Sequence, residues 1–202
     1  MVLSIRDVEP RDLDSILALN NAAGATILPL DAAALGVLFA EASYFRLAEV
    51  DGHVAGFLIA MREDAGYDSP NFRWFSSHYS RFVYIDRIVI ARPYRGLGLG
   101  RVFYADVTSY AETRVPLLAC EVFLEPRDDV SLLFHGSWGF QEVGQQVMPG
   151  HGRRVSLLAK TLCSFPFVRD TYLAATGLPD LPWLAERPRL DGGPDSRAAG
   201  SA

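Results

Sequence analysis

The stretch Ile88–Gly100, which reads IVIARPYRGLGLG, decides the fold. An apolar run ends at a proline, and three alternating glycines, Gly96, Gly98 and Gly100, open the segment that follows. Glycines at this spacing remove side chains from a turn, and the positive end of a helix beginning there favours anions. The sequence therefore predicts a strand, a glycine-rich turn that binds a diphosphate, and a helix. A purely structural turn is the alternative interpretation.

The segments on either side of this turn alternate between strand and helix. Residues 82–90 are rich in β-branched and aromatic side chains, which favours a strand. Apolar residues between Leu99 and Tyr110 recur at helical spacing, and Leu117–Leu124 is a second apolar strand. Strand, helix and strand in this order predict a right-handed crossover that joins two parallel strands. Three arginines, Arg92, Arg95 and Arg101, place positive charge beside the turn.

The rest of the chain carries local signals for antiparallel strands and short helices. The N-terminal part predicts a strand at 2–8, a helix from Pro10, a helix capped by Asp31, and a hairpin of 44–50 with 54–61 around Asp51-Gly52. Residues 62–81 are expected to be an irregular, aromatic-rich loop. The C-terminal part predicts a helix capped by Asp128 or Asp129 and stopped by Gly139, then a hairpin of 140–148 with 153–161 around Pro149-Gly150.

Composition limits the class of protein. The chain has 202 residues, of which 50% are hydrophobic and 21% charged, so one domain with a tail is expected. We predict a domain at 1–161 and an extension at 162–202 that docks in part and then becomes disordered. A net charge of −5 makes a nucleic-acid partner improbable. Two cysteines, no signal peptide and no membrane span together predict a cytoplasmic protein with no membrane partner.

Two segments resemble motifs of one superfamily. Residues 88–100 resemble motif A of the GCN5-related N-acetyltransferases, an apolar strand end and a proline turn followed by Gln/Arg-x-x-Gly-x-Gly/Ala, which Arg95, Gly98 and Gly100 fit. Residues 131–140, SLLFHGSWGF, resemble motif B, which ends in Gly-Phe. The order of elements also matches from residue 2 to about 161. The chain thus resembles the bacterial members of this superfamily whose substrate is unassigned.

The resemblance implies an α/β fold in which a twisted, mixed sheet of about seven strands is flanked by about four helices. The sheet splays between strands 82–90 and 117–124, and acetyl-CoA enters the splay. Its diphosphate lies on the amides of the glycine turn, and its pantetheine pairs with the main chain of 88–90 like an added strand. No metal is expected. The predicted cofactor-binding residues are Ile88, Val89, Ile90, Arg95, Gly96, Leu97, Gly98, Leu99, Gly100, Arg101 and Asp128, the last of which is alternatively only a helix cap.

The function implied is an N-acetyltransferase that moves the acetyl group of acetyl-CoA directly to a primary amine in a ternary complex. The acceptor is a small molecule or an exposed protein amine, and nothing in the sequence selects between an amino acid, a polyamine, an aminoglycoside and a protein N-terminus. One alternative is a CoA-binding sensor or partner module without turnover. Another is a nucleotide-binding domain that shares only the glycine-rich turn. A homodimer is a frequent solution for this fold, with Trp183 as a candidate for the interface.

Acetyl transfer needs a neutral amine, a donor for the thioester oxygen and a tolerable leaving thiolate, which a thiol pKa near ~8.5 provides. The superfamily often has a tyrosine four residues before the Gly-Phe glycine. Counting back from Gly139 gives His135, which either keeps the acid role or only packs the helix. Tyr104 and Tyr110, on the helix after the glycine turn, are less well placed.

Two acidic residues are candidates for the general base. Asp86 is the first, because it interrupts an apolar strand and because strand alternation places it on one face with Tyr84 and Ile88. Glu121, in the neighbouring strand, is the second. The alternatives are structural ion pairs, and a proton carried by water rather than by a single base.

The aromatic-rich segment 67–84, by resemblance, shapes the acceptor pocket. An arginine there would bind a carboxylate and so suit an amino-acid-like acceptor. A lid that packs its aromatic rings on the core is the alternative. The predicted substrate-binding residues are Asn71, Phe72, Arg73, Trp74 and Tyr84.

Overall fold

One mixed sheet of seven strands organises the chain in a computed structural model that describes residues 2–149 and 152–180. Its spatial order is β1-β2-β3-β4-β5-β7-β6. Only β4 and β5 are parallel neighbours, and the other named pairs are antiparallel. The predicted mixed α/β sheet is therefore confirmed. The strands are β1 (Leu3–Asp7), β2 (Tyr44–Val50), β3 (His53–Arg62), β4 (Val83–Ile90), β5 (Leu117–Phe123), β6 (Gln141–Val147) and β7 (Arg154–Thr161).

Helices cover both faces of this sheet, and each face buries its own apolar cluster. What we call the α1 face is packed by α1, α2 and α3, and the α4 face by α4, α5 and α6. The described chain holds two helices beyond the four or so that the resemblance implied, namely α3 and α6. The helices are α1 (Leu13–Asn21), α2 (Ala32–Glu41), α3 (Pro70–His78), α4 (Leu99–Glu112), α5 (Asp129–Ser137) and α6 (Phe165–Val168).

Local signals placed most of these elements correctly. Asp51 and Gly52 both have positive φ, at 50° and 79°, as a two-residue hairpin turn requires. The Asp31 carboxylate accepts from the Ala34 amide at 2.7 Å, and so caps α2. Gly139 ends α5 with a φ of 81°. The turn residue Gly150 lies outside the described residues.

The prediction of an irregular loop at 62–81 was wrong for α3. Ser69 caps this helix by accepting from the Phe72 amide, and Pro70 stands at its first position, where a missing N–H costs nothing. Phe72 and Phe75, one turn apart, are 3% and 0% exposed in the core. The aromatic residues thus anchor a helix to the α1 face of the sheet.

The C-terminal extension begins with residues that pack on the α4 face. Leu162 and Phe165 are buried there, and the Arg81 guanidinium lies 5.1 Å from the centre of the Phe165 ring. The division into domain and extension stays a prediction. The expected disorder of the last stretch, and a role of Trp183 in an interface, concern residues 181–202, which are outside the described part. None of the helices in the described ranges has the length and hydropathy needed to cross a bilayer.

Candidate active site

A cleft of about 940 Å³ opens where β4 and β5 part. The two strands are paired only from Val83, opposite Leu118, to Ile85, opposite Cys120. Beyond that point they diverge, and residues 85–90 of β4 and 120–123 of β5 line the opening. The expected splay is present. Because of it, residues from both faces of the sheet line the cleft.

The glycine turn forms the α4-face end of this cleft. Gly96 and Gly98 have φ values of 80° and 85°, and Gly98 is the N-cap of α4. A Cβ atom built on either glycine would meet no atom within 4 Å, so the turn borders open space. The amides of a first helical turn have no partner within the helix and carry partial positive charge. The turn is therefore a cradle of the right shape and sign for a phosphate group.

The predicted cofactor residues divide clearly by position. Arg95 fastens the turn, because its guanidinium donates to the main-chain carbonyls of Ile90 at 3.0 Å and Ala23 at 3.3 Å. Leu97 is 52% exposed and lies outside the cleft. The Asp128 carboxylate caps α5 by accepting from the Ser131 amide at 2.9 Å, although the residue also borders the cleft. The others that border it are Ile88, Val89, Ile90, Arg95, Gly96, Gly98, Leu99, Gly100 and Arg101.

A β-bulge in β4 decides which side chains face the amine-binding side. Ile59 of β3 pairs with Arg87, and Ala60 pairs with Ile85, so Asp86 is the extra residue. Without the bulge, Asp86 and Arg87 would point to opposite faces. Instead both reach the α1 face, where their side chains form an ion pair at 2.6 Å. The prediction that Ile88 shares a face with Tyr84 and Asp86 was wrong, because the bulge shifts the alternation by one.

Asp86 is the centre of a buried polar network. Its side chain is 5% exposed, and the carboxylate accepts from the Tyr67 hydroxyl at 2.5 Å and from Arg87 Nε at 2.6 Å. Arg87 also donates to the Asn20 side chain at 2.9 Å and to the Leu28 carbonyl at 3.3 Å. Asp86 is thus positioned on both oxygens by α1-face elements, and its charge is balanced by its neighbour in the chain.

Glu121 lies beside this network and lines the cleft. It accepts from the Tyr84 hydroxyl at 2.5 Å and is hydrogen-bonded by Asn71, which in turn accepts from Gln146 at 3.0 Å. Burial, and secondarily the negative charge of Asp86, raise the pKa of Glu121 from 4.5 to about 7. A carboxyl group with this pKa exchanges a proton near neutral pH, as a general base must.

On the α4 face, a tyrosine and a histidine form a second pair. The Tyr104 hydroxyl lies 2.5 Å from Nε2 of His135, and Nδ1 of that ring lies 2.7 Å from the Ser131 carbonyl. Burial lowers the pKa of His135, which favours the neutral ring. A carbonyl can only accept, so Nδ1 carries the proton and Nε2 accepts from the Tyr104 hydroxyl. Both residues border the cleft.

Three of the predicted substrate-binding residues lie elsewhere, because α3 turns them away from the cleft. Phe72 is 3% exposed in the core. Arg73 is exposed and paired with Asp68. Trp74 stacks on His78 with ring centres 3.8 Å apart. Asn71 alone of the predicted α3 residues borders the cleft, and Tyr84 contributes only through its bond to Glu121.

Two further observations concern the cleft cysteine and the metal-binding residue types. Cys120 borders the cleft, but burial raises the pKa of its thiol, which therefore stays protonated and is a poor nucleophile. Within the described ranges, no group of three or more histidine, cysteine, aspartate or glutamate side chains is arranged to hold a metal ion. The groups gathered at the cleft suit an acyl transfer between two substrates, one entering from each face of the sheet.

The comparisons with known proteins agree with this description. The sequence profile of the acetyltransferase (GNAT) family matches residues 17–140. The chain belongs to this family. It is an acetyltransferase whose acetyl donor is acetyl-CoA, and the predicted family, enzyme class and cofactor are confirmed. No curated protein sequence matches the chain.

Solved structures share the fold at low sequence identity. The Escherichia coli ribosomal-protein-S18-alanine N-acetyltransferase is 17% identical with a TM-score of 0.62, over 80% of this chain and 94% of that one. Ard1 from Thermoplasma volcanium is 16% identical with a TM-score of 0.65, over 80% and 99%. NAA60 from Arabidopsis thaliana, solved in complex with acetyl-CoA, is 14% identical with a TM-score of 0.63, over 79% and 99%. At these identities the likeness establishes the fold alone.

Proposed function

We propose that the protein transfers the acetyl group of acetyl-CoA directly to a primary amine, carried by a small molecule or exposed on a protein, in a ternary complex. One observation carries the proposal. The opening between β4 and β5 joins an anion cradle on the α4 face to a carboxyl group of raised pKa, Glu121, on the α1 face. Two substrates bound from opposite faces would meet within the sheet.

The residues of the α4 face fit the coenzyme. The amides of 96–100 would hold the diphosphate in the open space beside Gly96 and Gly98. Beyond Ile85 the edge of β4 is no longer paired with β5, so the main chain of Ile88, Val89 and Ile90 can pair with the pantetheine amides. When bound, acetyl-CoA supplies the acetyl group as an activated thioester.

Glu121 is proposed as the general base. Its carboxylate would take the proton that the amine loses, either directly or through water. Asp86 supports this role without touching the amine. Its charge raises the pKa of Glu121, and its bonds to Tyr67 and Arg87 hold that part of the cleft in place.

Tyr104 is proposed to act on the departing sulfur. Burial raises the pKa of its phenol, so the hydroxyl keeps its one proton, and as the sulfur gains charge the hydroxyl would turn this proton from Nε2 of His135 toward the sulfur. His135, which stands where the superfamily often has a tyrosine, is then a positioning residue that fixes the Tyr104 hydroxyl. The sequence contains no signal for this pair, whose members are 31 residues apart on different helices.

The test is thiol release from acetyl-CoA across a panel of primary amines, followed by mass measurement of the N-acetyl product. The proposal expects amine-dependent release above the rate of hydrolysis. Tight binding of acetyl-CoA with no acetylation of any amine in the panel would instead favour a sensor or partner module.

A further inference from the structure

The α1-face part of the cleft differs in character from the part that surrounds the glycine turn. We call this part the acceptor half. Treating it as the place where the amine binds rests on the function proposed above. One side of it consists of polar groups that are hydrogen-bonded to one another, and the other side is an apolar wall. The residues that define it are Leu28, Asp86, Arg87, Glu121, Phe123 and Met148, all of which border the cleft.

The charges of the acceptor half are distributed unevenly. Asp86 and Arg87 neutralise each other at 2.6 Å, and their side chains are 5% and 9% exposed. Arg87 is also committed to the Asn20 side chain and the Leu28 carbonyl. Drawing Arg87 toward another anion would leave Asp86 buried without its partner, which is strongly unfavourable. The charge that remains to face an acceptor is the carboxyl group of Glu121.

Arg153, whose guanidinium lies against the cleft residue Phe123, is also engaged. Arg153 donates to the Ala25 carbonyl at 2.9 Å, and its guanidinium lies 5.5 Å from the centre of the Phe123 ring. It fastens the start of β7 to the segment between α1 and α2. Within the acceptor half the Asp86–Arg87 pair is compensated and Glu121 is the further acidic group, so the pocket is acidic, which attracts an ammonium group and repels a carboxylate.

The other wall of the acceptor half is apolar. Met148 is 9% exposed and Leu28 is 36% exposed, and the Phe123 side chain borders the cleft with them. An amine whose carbon skeleton is apolar would bury that skeleton here while its nitrogen reaches Glu121.

We infer that the acceptor is a primary amine on an apolar body that carries no carboxylate next to the amine. Arylalkyl- and alkylamines, and amino acids whose carboxylate is converted to an amide, meet this description. A free amino acid does not, because its carboxylate would approach the carboxyl group of Glu121 while Arg87 stays paired with Asp86.

Matched substrate pairs test the inference. We would measure kcat/KM for 2-phenylethylamine against phenylalanine, tyramine against tyrosine, and isoamylamine against leucine, with phenylalaninamide as the neutral amide. The carboxylate-free member of each pair should be preferred, on the order of 100-fold, since its competitor brings a carboxylate toward the carboxyl group of Glu121. Equal or better use of the free amino acids would overturn the inference.

Acetylation of no pair would also overturn it, and acetyl-CoA binding, measured separately by calorimetry, would report on the proposed function. A gain-of-function variant adds a second test. Thr26 borders the cleft, whereas the exposed neighbour Ala25 does not. Thr26→Lys should raise kcat/KM for phenylalanine relative to 2-phenylethylamine about tenfold. Ala25→Lys, the matched control, should leave that ratio unchanged. A ratio that Thr26→Lys does not move would contradict the inference.

Discussion

The hydroxyl of Tyr104 on α4 donates to Nε2 of His135 on α5, across a distance of 2.5 Å. The His135 ring is fixed from its other side by the Ser131 carbonyl. Tyr104 is completely buried and His135 is 5% exposed, so neither side chain has room to move independently. The two residues therefore act as a unit at the cleft.

This unit predicts non-additive losses of activity. Tyr104→Phe should lower kcat about 10- to 100-fold and change the Kd of acetyl-CoA little, because the hydroxyl acts on charge that develops during the reaction. His135→Gln should lower kcat less. The double variant should be no slower than Tyr104→Phe alone.

Steady-state kinetics and calorimetry check this prediction. Tyr110→Phe is the matched control, since Tyr110 lies on the same helix but does not border the cleft. An unchanged kcat in Tyr104→Phe would remove the tyrosine from the mechanism. Losses that multiply in the double variant would show that the two residues act separately.

The pKa of Glu121 predicts the pH dependence of activity. Since the base must be ionised, kcat/KM for an amine should rise with pH through about 7, where Glu121 titrates. Glu121→Gln should lower the rate about 100-fold and abolish this limb of the profile. A limb near pH 7 that persists in the glutamine variant would assign it to another group.

The same carboxyl group predicts a pH-dependent cost in stability. Its pKa is about 7 in the folded protein, whereas an unperturbed glutamate, which represents the unfolded chain, has a pKa of 4.5. The folded state therefore binds the proton more tightly than the unfolded state. The contribution of Glu121 to the free energy of unfolding is therefore fully present below pH 4.5 and is lost as pH rises through about 7. This loss is on the order of 3 kcal/mol.

Urea unfolding of the wild type and Glu121→Gln at pH 5 and pH 8 measures this effect. The glutamine variant should gain stability relative to the wild type on going from pH 5 to pH 8. A difference between the two proteins that is the same at both pH values would mean that Glu121 has an ordinary pKa.

The charge of Asp86 predicts a shift of the activity profile. Because this charge raises the pKa of Glu121, Asp86→Asn should move the limb of kcat/KM to lower pH. Tyr67→Phe removes one hydrogen bond to Asp86 but keeps the charge, so its profile should stay near pH 7. A limb that stays in place in Asp86→Asn would exclude the electrostatic coupling.

Much of the fold follows from local signals in the sequence. The strand at 44–50, the Asp51-Gly52 turn and the glycine turn after β4 each depend on neighbouring residues only, and each was predicted. Helix α3 was missed because its proline, serine and asparagine are typical of loops, whereas Phe72 and Phe75 are held in a helix by the core they enter. The assumption of a loop then placed Arg73 and Trp74 in the pocket, although consecutive helical residues point in different directions.

The site depends more on contacts between distant segments. Asp86 and Glu121 could be proposed because each interrupts an apolar strand. The bulge at Asp86 arises from the pairing of β4 with β3, so the sequence of β4 alone does not predict it. The bond of Tyr104 to His135 likewise requires two helices to pack. The sequence therefore predicted the acidic groups, but it led to His135 alone as the group that acts on the departing thiolate.

The central claim is that the amides at Gly98 hold the diphosphate of acetyl-CoA in the opening between β4 and β5. Titration calorimetry with acetyl-CoA on three proteins tests it most directly. Wild type and Gly52→Glu, whose glycine has a similar positive φ in a remote hairpin, should bind with a Kd on the order of micromolar. Gly98→Glu should lose binding at least about 100-fold, because its side chain fills the open space and repels phosphate. Wild-type affinity in Gly98→Glu, or no binding by the wild type, would contradict the account.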